Sequence, residues 1–205
     1  MIQVICTDIS GLTSSDYQVL YEKSSNERRT RADRYRCRTD AFRCVTADGL
    51  LRYALGTSDY TVDKTVSGKP FIPGKEGFHY NLSHSGSWVV LAFGDSEIGV
   101  DVEKICADTD IETIASRVFS SEEQQYIWEE PAQSRCRFFE IWTGKESYLK
   151  YLGTGLKKDL TSFSVLSLEP EVRLYHRKLD EDYCLSLCTT CDDYLFELLD
   201  LQRLL

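Results

Sequence analysis

No stretch of this 205-residue chain is apolar for long enough to span a bilayer, and Met1-Ile-Gln-Val-Ile-Cys-Thr-Asp8 has neither a basic leader nor an extended apolar run behind it. The expectation is a cytoplasmic protein with no membrane partner. Positive charge is also short. Twenty-four Lys and Arg against 33 Asp and Glu leave a formal net charge of −9, which argues against general affinity for nucleic acid. No second Cys-x-x-Cys accompanies Cys188-Thr-Thr-Cys191, and a structural zinc site wants four ligands. Cys184, Cys188 and Cys191 therefore read as thiols on and beside a strand, with zinc the lesser alternative, and the eight cysteines as a whole as reduced. A long linker is missing too, so the chain is one large domain or two small halves.

The charges that are present are unevenly placed. Arg28, Arg29, Arg31, Arg34, Arg36, Arg38, Arg43 and Arg52 crowd one N-terminal region, whereas residues 95–130 are rich in acid and poor in base. A basic pocket facing an acidic metal site suits a polyphosphate, held by arginine at one end and by magnesium at the other.

Two acidic features carry the chemistry. In Phe138-Phe-Glu-Ile-Trp-Thr-Gly-Lys-Glu-Ser-Tyr-Leu-Lys150, wound at about 3.6 residues per turn, Phe139, Trp142, Leu149 and Leu152 share an apolar stripe, with Glu146 inside it. A lone buried carboxylate is costly, so Glu146 must pair with a cation or bind a metal. Lys150, four residues on, is the local partner, and salt bridge and active site stand level on this helix alone. In Ile98-Gly-Val-Asp-Val-Glu103, strand alternation sends Val100 and Val102 into a core and leaves Asp101 and Glu103 together on the other face. That face is either merely solvated or, with Glu146, a three-carboxylate set of hard oxygen ligands suited to magnesium.

These two segments, with Gly153-Thr-Gly-Leu156, Gly68-Lys69-Pro70 and Asn81-Leu-Ser-His-Ser85 in this order and spacing, resemble the paired signature of the 4′-phosphopantetheinyl transferases, in the Sfp-type branch that activates carrier domains of nonribosomal peptide and polyketide synthases. The likeness runs over nearly the whole chain. Gly144 departs from it, standing where the family more often has a larger residue. A glycine inside a helix costs about 1 kcal/mol against alanine, and looser local packing is expected there. Cys44 also departs, since some relatives carry a hydroxyl at that position.

The resemblance implies an α+β fold: a pseudo-dimer of two similar halves, each a small antiparallel sheet on a long helix, with the active site in the cleft between them. Residues 1–97 would form the coenzyme A side and residues 98–205 the metal and catalytic side. It implies transfer of 4′-phosphopantetheine from coenzyme A to a serine of an acyl or peptidyl carrier protein, releasing adenosine 3′,5′-bisphosphate, by a monomer using Mg2+, with Mn2+ as the alternative. Arg28, Arg31, Arg43, Lys69, Ser83 and His84 would bind coenzyme A. Asp101, Glu103 and Glu146 would hold the metal, while Glu146 and Lys150 would be catalytic. Glu123, which also reads as the third position of a Ser120 capping box, is a secondary candidate. The rivals are a magnesium-dependent nucleotide phosphohydrolase, which needs no carrier, and a non-catalytic coenzyme A-binding protein, which needs no acids.

Coarse elements follow the same periodicities: a strand over residues 2–9, helices near residues 16–23 and 40–55, a hairpin joining residues 88–93 to the Asp101 strand, and antiparallel strands at residues 163–166, 172–175 and 183–188. Residues 194–205 read as either a strand or a short helix.

Overall fold

A computed structural model describes residues 1–155 and 159–205, so Leu156 of the glycine-rich signature lies outside the described residues. The N-terminal strand β1 (Ile2–Asp8) alternates: Ile5 and Ile9 turn to one apolar cluster, and Ile2, Val4 and Cys6 to another. Three helices follow. Thr13 caps α1 (Ser14–Lys23) in a reciprocal box with Asp16. Ser25 caps α2 (Asn26–Ala32), which carries Arg28 and Arg31, and α3 (Arg38–Leu55) is buried along most of its length.

The short strands β2 (Asp63–Lys64) and β3 (Pro70–Phe71) pair in a loop region ahead of β4 (His79–Ser85) and β5 (Trp88–Gly94). β4, β5 and β1 are antiparallel neighbours in the first sheet. β6 (Ile98–Lys104) opens the second sheet, whose other members are β7 (Arg173–Asp180) and β8 (Tyr183–Thr189), in the order β6-β8-β7. The expected hairpin from β5 into β6 is therefore corrected. The turn at Gly94-Asp95-Ser96 carries the chain from one sheet to the other, and β5 hairpins with β4 instead. Between β6 and β7 lie α4 (Ile111–Val118), α5 (Ser121–Trp128) and α6 (Ser134–Leu152), which ends at Gly153 with φ 66°. Residues 163–166 form turns rather than a strand. Residues 194–205 form both of the expected elements: β9 (Tyr194–Leu198), parallel to β1 at the edge of the first sheet, then a 3-10 turn at Leu201–Leu204. A division at residue 97 would put β9 in the second half, although its ladder is with the first sheet.

The clusters define layers. α3 and one face of the first sheet enclose Val45, Leu50, Val89 and Leu91. Between the sheets lie Val4, Val90, Val100, Val102, Leu185 and Leu187, and α6 covers the far face of the second sheet through Phe138, Ile141, Tyr148, Cys184 and Cys188. The fold is α+β, a helix–sheet–sheet–helix stack. Buried hydroxyls on α6 are satisfied: Thr143 Oγ1 donates to Phe139 O at 2.7 Å and lies 2.6 Å from Ser186 Oγ, and Ser147 donates to Gly144 O. Gly144 does not loosen this packing. A Cβ there would meet Leu174, His176 and Val165 at 3.3–3.4 Å, so these side chains fill the space a larger residue would need.

Gly99 sets how closely α6 approaches β6. A Cβ at that position would stand 1.9 Å from Ser147 O and 2.3 Å from Tyr151 N. Both are backbone atoms, which a side-chain rotation cannot move away. Gly99→Ala must therefore separate α6 from β6, and we expect a loss of about 1–3 kcal/mol, the usual range for overpacking. Urea unfolding should show a lower midpoint with little change in slope.

Candidate active site

The two sheets meet where the edge strand β4 runs beside the edge strand β6, and they are joined there by side chains. Residues 81, 83 and 85 share one face of β4. Asn81 Oδ1 accepts from Val100 N at 2.9 Å, Ser83 Oγ from Val102 N at 3.3 Å and Ser85 Oγ from Lys104 N at 3.1 Å. The same two hydroxyls donate to the carboxylates between those amides: Ser83 to Asp101 Oδ1 at 2.8 Å and Ser85 to Glu103 Oε2 at 2.7 Å.

Lys150 enters from α6. Its ammonium donates to Asp101 Oδ1 at 2.6 Å, to Ser83 Oγ at 3.1 Å and to Val100 O at 3.1 Å, which occupies all three of its protons. This corrects the local pairing with Glu146: the lysine bridges the sheet junction. It also corrects Asp101 as one of two carboxylates on a solvated face, since the residue is only 4 % exposed. Asp101 Oδ2 is buried and has no hydrogen-bond partner among the described residues. Burial, then the charge of Asp101, raise the Glu146 carboxyl above its ordinary 4.5, with Lys150 opposing. Glu103 is raised as well, chiefly by burial, against the hydrogen bond from Ser85.

As they stand, no three His, Cys, Asp or Glu side chains among the described residues converge as a metal-ligand group. The donor chemistry nevertheless fits a hard divalent cation. Asp101 keeps one buried oxygen unmatched, and both neighbouring glutamates are pushed toward their neutral forms, first by burial and then by the charge of Asp101, which a cation would offset.

Asp101, Glu103 and Lys150 line a cavity of about 810 Å3 together with Arg28, Arg31, Ser83 and His84. Burial lowers the His84 pKa, and Arg43, Lys150 and Arg31 add to this against its own backbone hydrogen bond. His84 is therefore a neutral imidazole near pH 7. Arg43 and Lys69 are not in the cavity wall. Arg43 is spent on Gly86 O, through Nε at 2.8 Å and Nη2 at 2.6 Å, and on Asp40. Lys69 donates to Tyr151 O at 3.0 Å and pairs with Glu97. Glu146 is also outside the wall itself, reaching the cluster through its charge.

Three features escaped the sequence reading. Asp48, 2 % exposed, sits beneath Arg28, with its Oδ1 accepting from Tyr60 OH at 2.8 Å and lying 3.5 Å from Arg28 Nε, while Arg52 Nε lies 3.4 Å from Oδ2. An acid inside the apolar run Ala47-Asp-Gly-Leu-Leu51 is the signal that could have found it. Ser85 and Asn81 are the others, visible as polar residues at alternate positions of a strand. Glu123 resolves as structural. It caps Ser120 N, accepts from Val165 N at 2.9 Å and pairs with Lys145 at 2.9 Å where both side chains are at most 1 % exposed. All eight cysteines are free thiols, and burial pushes Cys184 up to about 11 and Cys188 up to about 12.

Comparison with known proteins adds an independent line. Residues 97–197 match the family model of the 4′-phosphopantetheinyl transferase superfamily. The chain is 37% identical over 147 residues to the 4′-phosphopantetheinyl transferase psf-1 of Bacillus pumilus, covering 68% of this chain and 62% of that protein. It is 34% identical over 191 residues to a 4′-phosphopantetheinyl transferase of Bacillus subtilis, covering 83% and 84% of the two chains. Over 148 residues it is 37% identical to the transferase Sfp of Bacillus subtilis strain 168, covering 69% and 65%.

The raised Glu146 carboxyl has a thermodynamic consequence. A carboxyl whose pKa is higher folded than unfolded favours folding fully below about 4.5, and that contribution is lost as pH rises through the folded value. With chelator present, Glu146→Gln should gain stability relative to the parent protein as pH rises from about 4.5. Urea midpoints across a pH series measure this, and a gap independent of pH would show that the carboxyl is not shifted.

Proposed function

The chain belongs to the 4′-phosphopantetheinyl transferase superfamily, in its Sfp-type branch, and from that membership we propose that it moves 4′-phosphopantetheine from coenzyme A to a serine of a carrier protein. The observation that carries this reading is one cavity lined by Asp101, Glu103 and Lys150 together with Arg28 and Arg31, with Glu146 acting on the acids from just outside its wall. Arginines and, in the same cavity, acids with a lysine suit a ligand with a terminal phosphate and a diphosphate. The family's division into a coenzyme A half, residues 1–97, and a catalytic half, residues 98–205, related as a pseudo-dimer, is part of the same proposal, with β9 the segment that crosses back.

Phosphoryl transfer asks a protein mainly for positioning and charge neutralisation. Arg28 and Arg31 grip the 3′-phosphate, and Asp48 and Tyr60 hold the floor beneath Arg28. His84 lies on the cavity wall as a donor for the diphosphate. Ser83, which is engaged by Asp101, Lys150 and Val102 N, acts from behind the carboxylates, and Arg43 and Lys69 shape the loops around the cavity. Asp101, Glu103 and Glu146 would hold Mg2+, or Mn2+, which when bound supplies charge neutralisation on the diphosphate oxygens. The carrier serine oxygen forms a bond to the phosphorus nearest the pantetheine, its proton passes to the Glu146 carboxylate, and the P–O bond to the departing adenosine 3′,5′-bisphosphate breaks. Lys150 stabilises the charge that develops there.

Incubation with coenzyme A, Mg2+ and an apo carrier domain should add one phosphopantetheine to the carrier by mass spectrometry. No gain across several carriers, or release of adenosine 3′,5′-bisphosphate without any carrier, would contradict the reading. Replacing both Arg28 and Arg31 with Ala should weaken coenzyme A far more than 3′-dephospho-coenzyme A, because each charge-assisted hydrogen bond is worth about 1.5–3 kcal/mol. Equal weakening of both ligands in calorimetric titrations would move the phosphate contact elsewhere.

A further inference from the structure

Ser85 does two things with one hydroxyl. Its oxygen accepts from Lys104 N at 3.1 Å, and its proton goes to Glu103 Oε2 at 2.7 Å. Glu103 has fewer constraints than Asp101. Asp101 is held by both Ser83 and Lys150, whereas Ser85 is the one hydrogen-bond donor that the described residues show on the Glu103 side chain. A glutamate has one more rotatable bond than an aspartate. Without a donor it would spread over several rotamers, and its repulsion from Asp101 and Glu146 would drive it away from them.

We propose that Ser85 is a positioning residue for the transferase reaction: from β4 it holds Glu103 in a single rotamer on the face of β6 that Glu103 shares with Asp101. This rests on the reading of Asp101, Glu103 and Glu146 as ligands of a divalent cation. Ser85 itself touches neither substrate nor ion in this account. It acts through Glu103, as groups hydrogen-bonded to metal ligands do, whose removal commonly costs about 10–100-fold in metal affinity.

Asn81 provides the control. It makes the same kind of rung, its Oδ1 accepting from Val100 N at 2.9 Å, with no bond to a carboxylate among the described residues. Loss of Asn81 therefore weakens the sheet junction without freeing an acid, and loss of Ser85 does both.

The test is Mn2+ binding to the full chain with coenzyme A bound and no carrier present, so that no turnover occurs, read from the electron paramagnetic resonance of free Mn2+. We expect Ser85→Ala to weaken Mn2+ by about tenfold, Ser85→Thr, which keeps the hydroxyl, to restore affinity to near the parent value, and Asn81→Ala to lower the melting temperature with the Mn2+ constant unchanged. With saturating metal, Ser85→Ala should keep its KM for coenzyme A. Unchanged Mn2+ affinity in Ser85→Ala, or the same weakening in Asn81→Ala, overturns the proposal and leaves Ser85 as a structural rung. If the parent protein binds no Mn2+ at all, the metal reading beneath the proposal fails first, and the two failures are thus distinct. Should Ser85→Ala not fold, Ser85→Cys, with its weak S–H donor, takes its place in the same comparison.

Discussion

Two exposed sheet edges meet in this molecule, and three side chains close the gap between them. An edge strand presents unpaired backbone donors and acceptors that must be satisfied once they are buried. β6 is such an edge, and its amides at Val100, Val102 and Lys104 are met by Asn81, Ser83 and Ser85 of β4 rather than by a backbone ladder. The serine oxygens take two of those amides, and their protons remain to orient Asp101 and Glu103, both of which line the cavity.

The electrostatics of the junction follow from this arrangement. Three carboxylates are brought within mutual influence, and one lysine, delivered by α6, balances part of their charge. Gly99 permits the close approach of α6 to β6 that brings Lys150 there. One packing constraint on a helix backbone thus decides which cation stands beside Asp101. By contrast, Lys145, on the same helix, pairs with Glu123 of α5, and that pair is enclosed and bonded to Leu160 O, Phe163 O and Val165 N, so its charges serve the fold. Neighbouring positions on one helix therefore take separate tasks according to what the adjoining segments offer them.

Local elements were largely legible in the sequence. The α6 helix, the Asp101 strand and the Ser120 cap follow from periodicity and capping chemistry, and the α+β class from the family resemblance. What escaped depends on contacts between distant segments. Periodicity cannot show that β6 leaves the sheet of β5, or that β9 returns to β1. Nor could helix spacing reveal that Lys150 prefers Asp101, 49 residues away, to Glu146 four residues away. The alternation of Asn81, Ser83 and Ser85 was in view, but its meaning depends on which strand lies opposite. Among the residues expected to touch coenzyme A, Arg28, Arg31, Ser83 and His84 reach the cavity, while Arg43 and Lys69 are drawn to backbone carbonyls of neighbouring segments, which sequence alone does not display.

Amide hydrogen exchange by NMR tests the junction most directly. If β4 side chains hold β6, the amides of Val100, Val102 and Lys104 exchange slowly in the parent protein, and replacing Asn81, Ser83 or Ser85 by alanine speeds chiefly the one amide opposite the change. Fast exchange of all three in the parent protein, at the rate of an open sheet edge, would contradict the account.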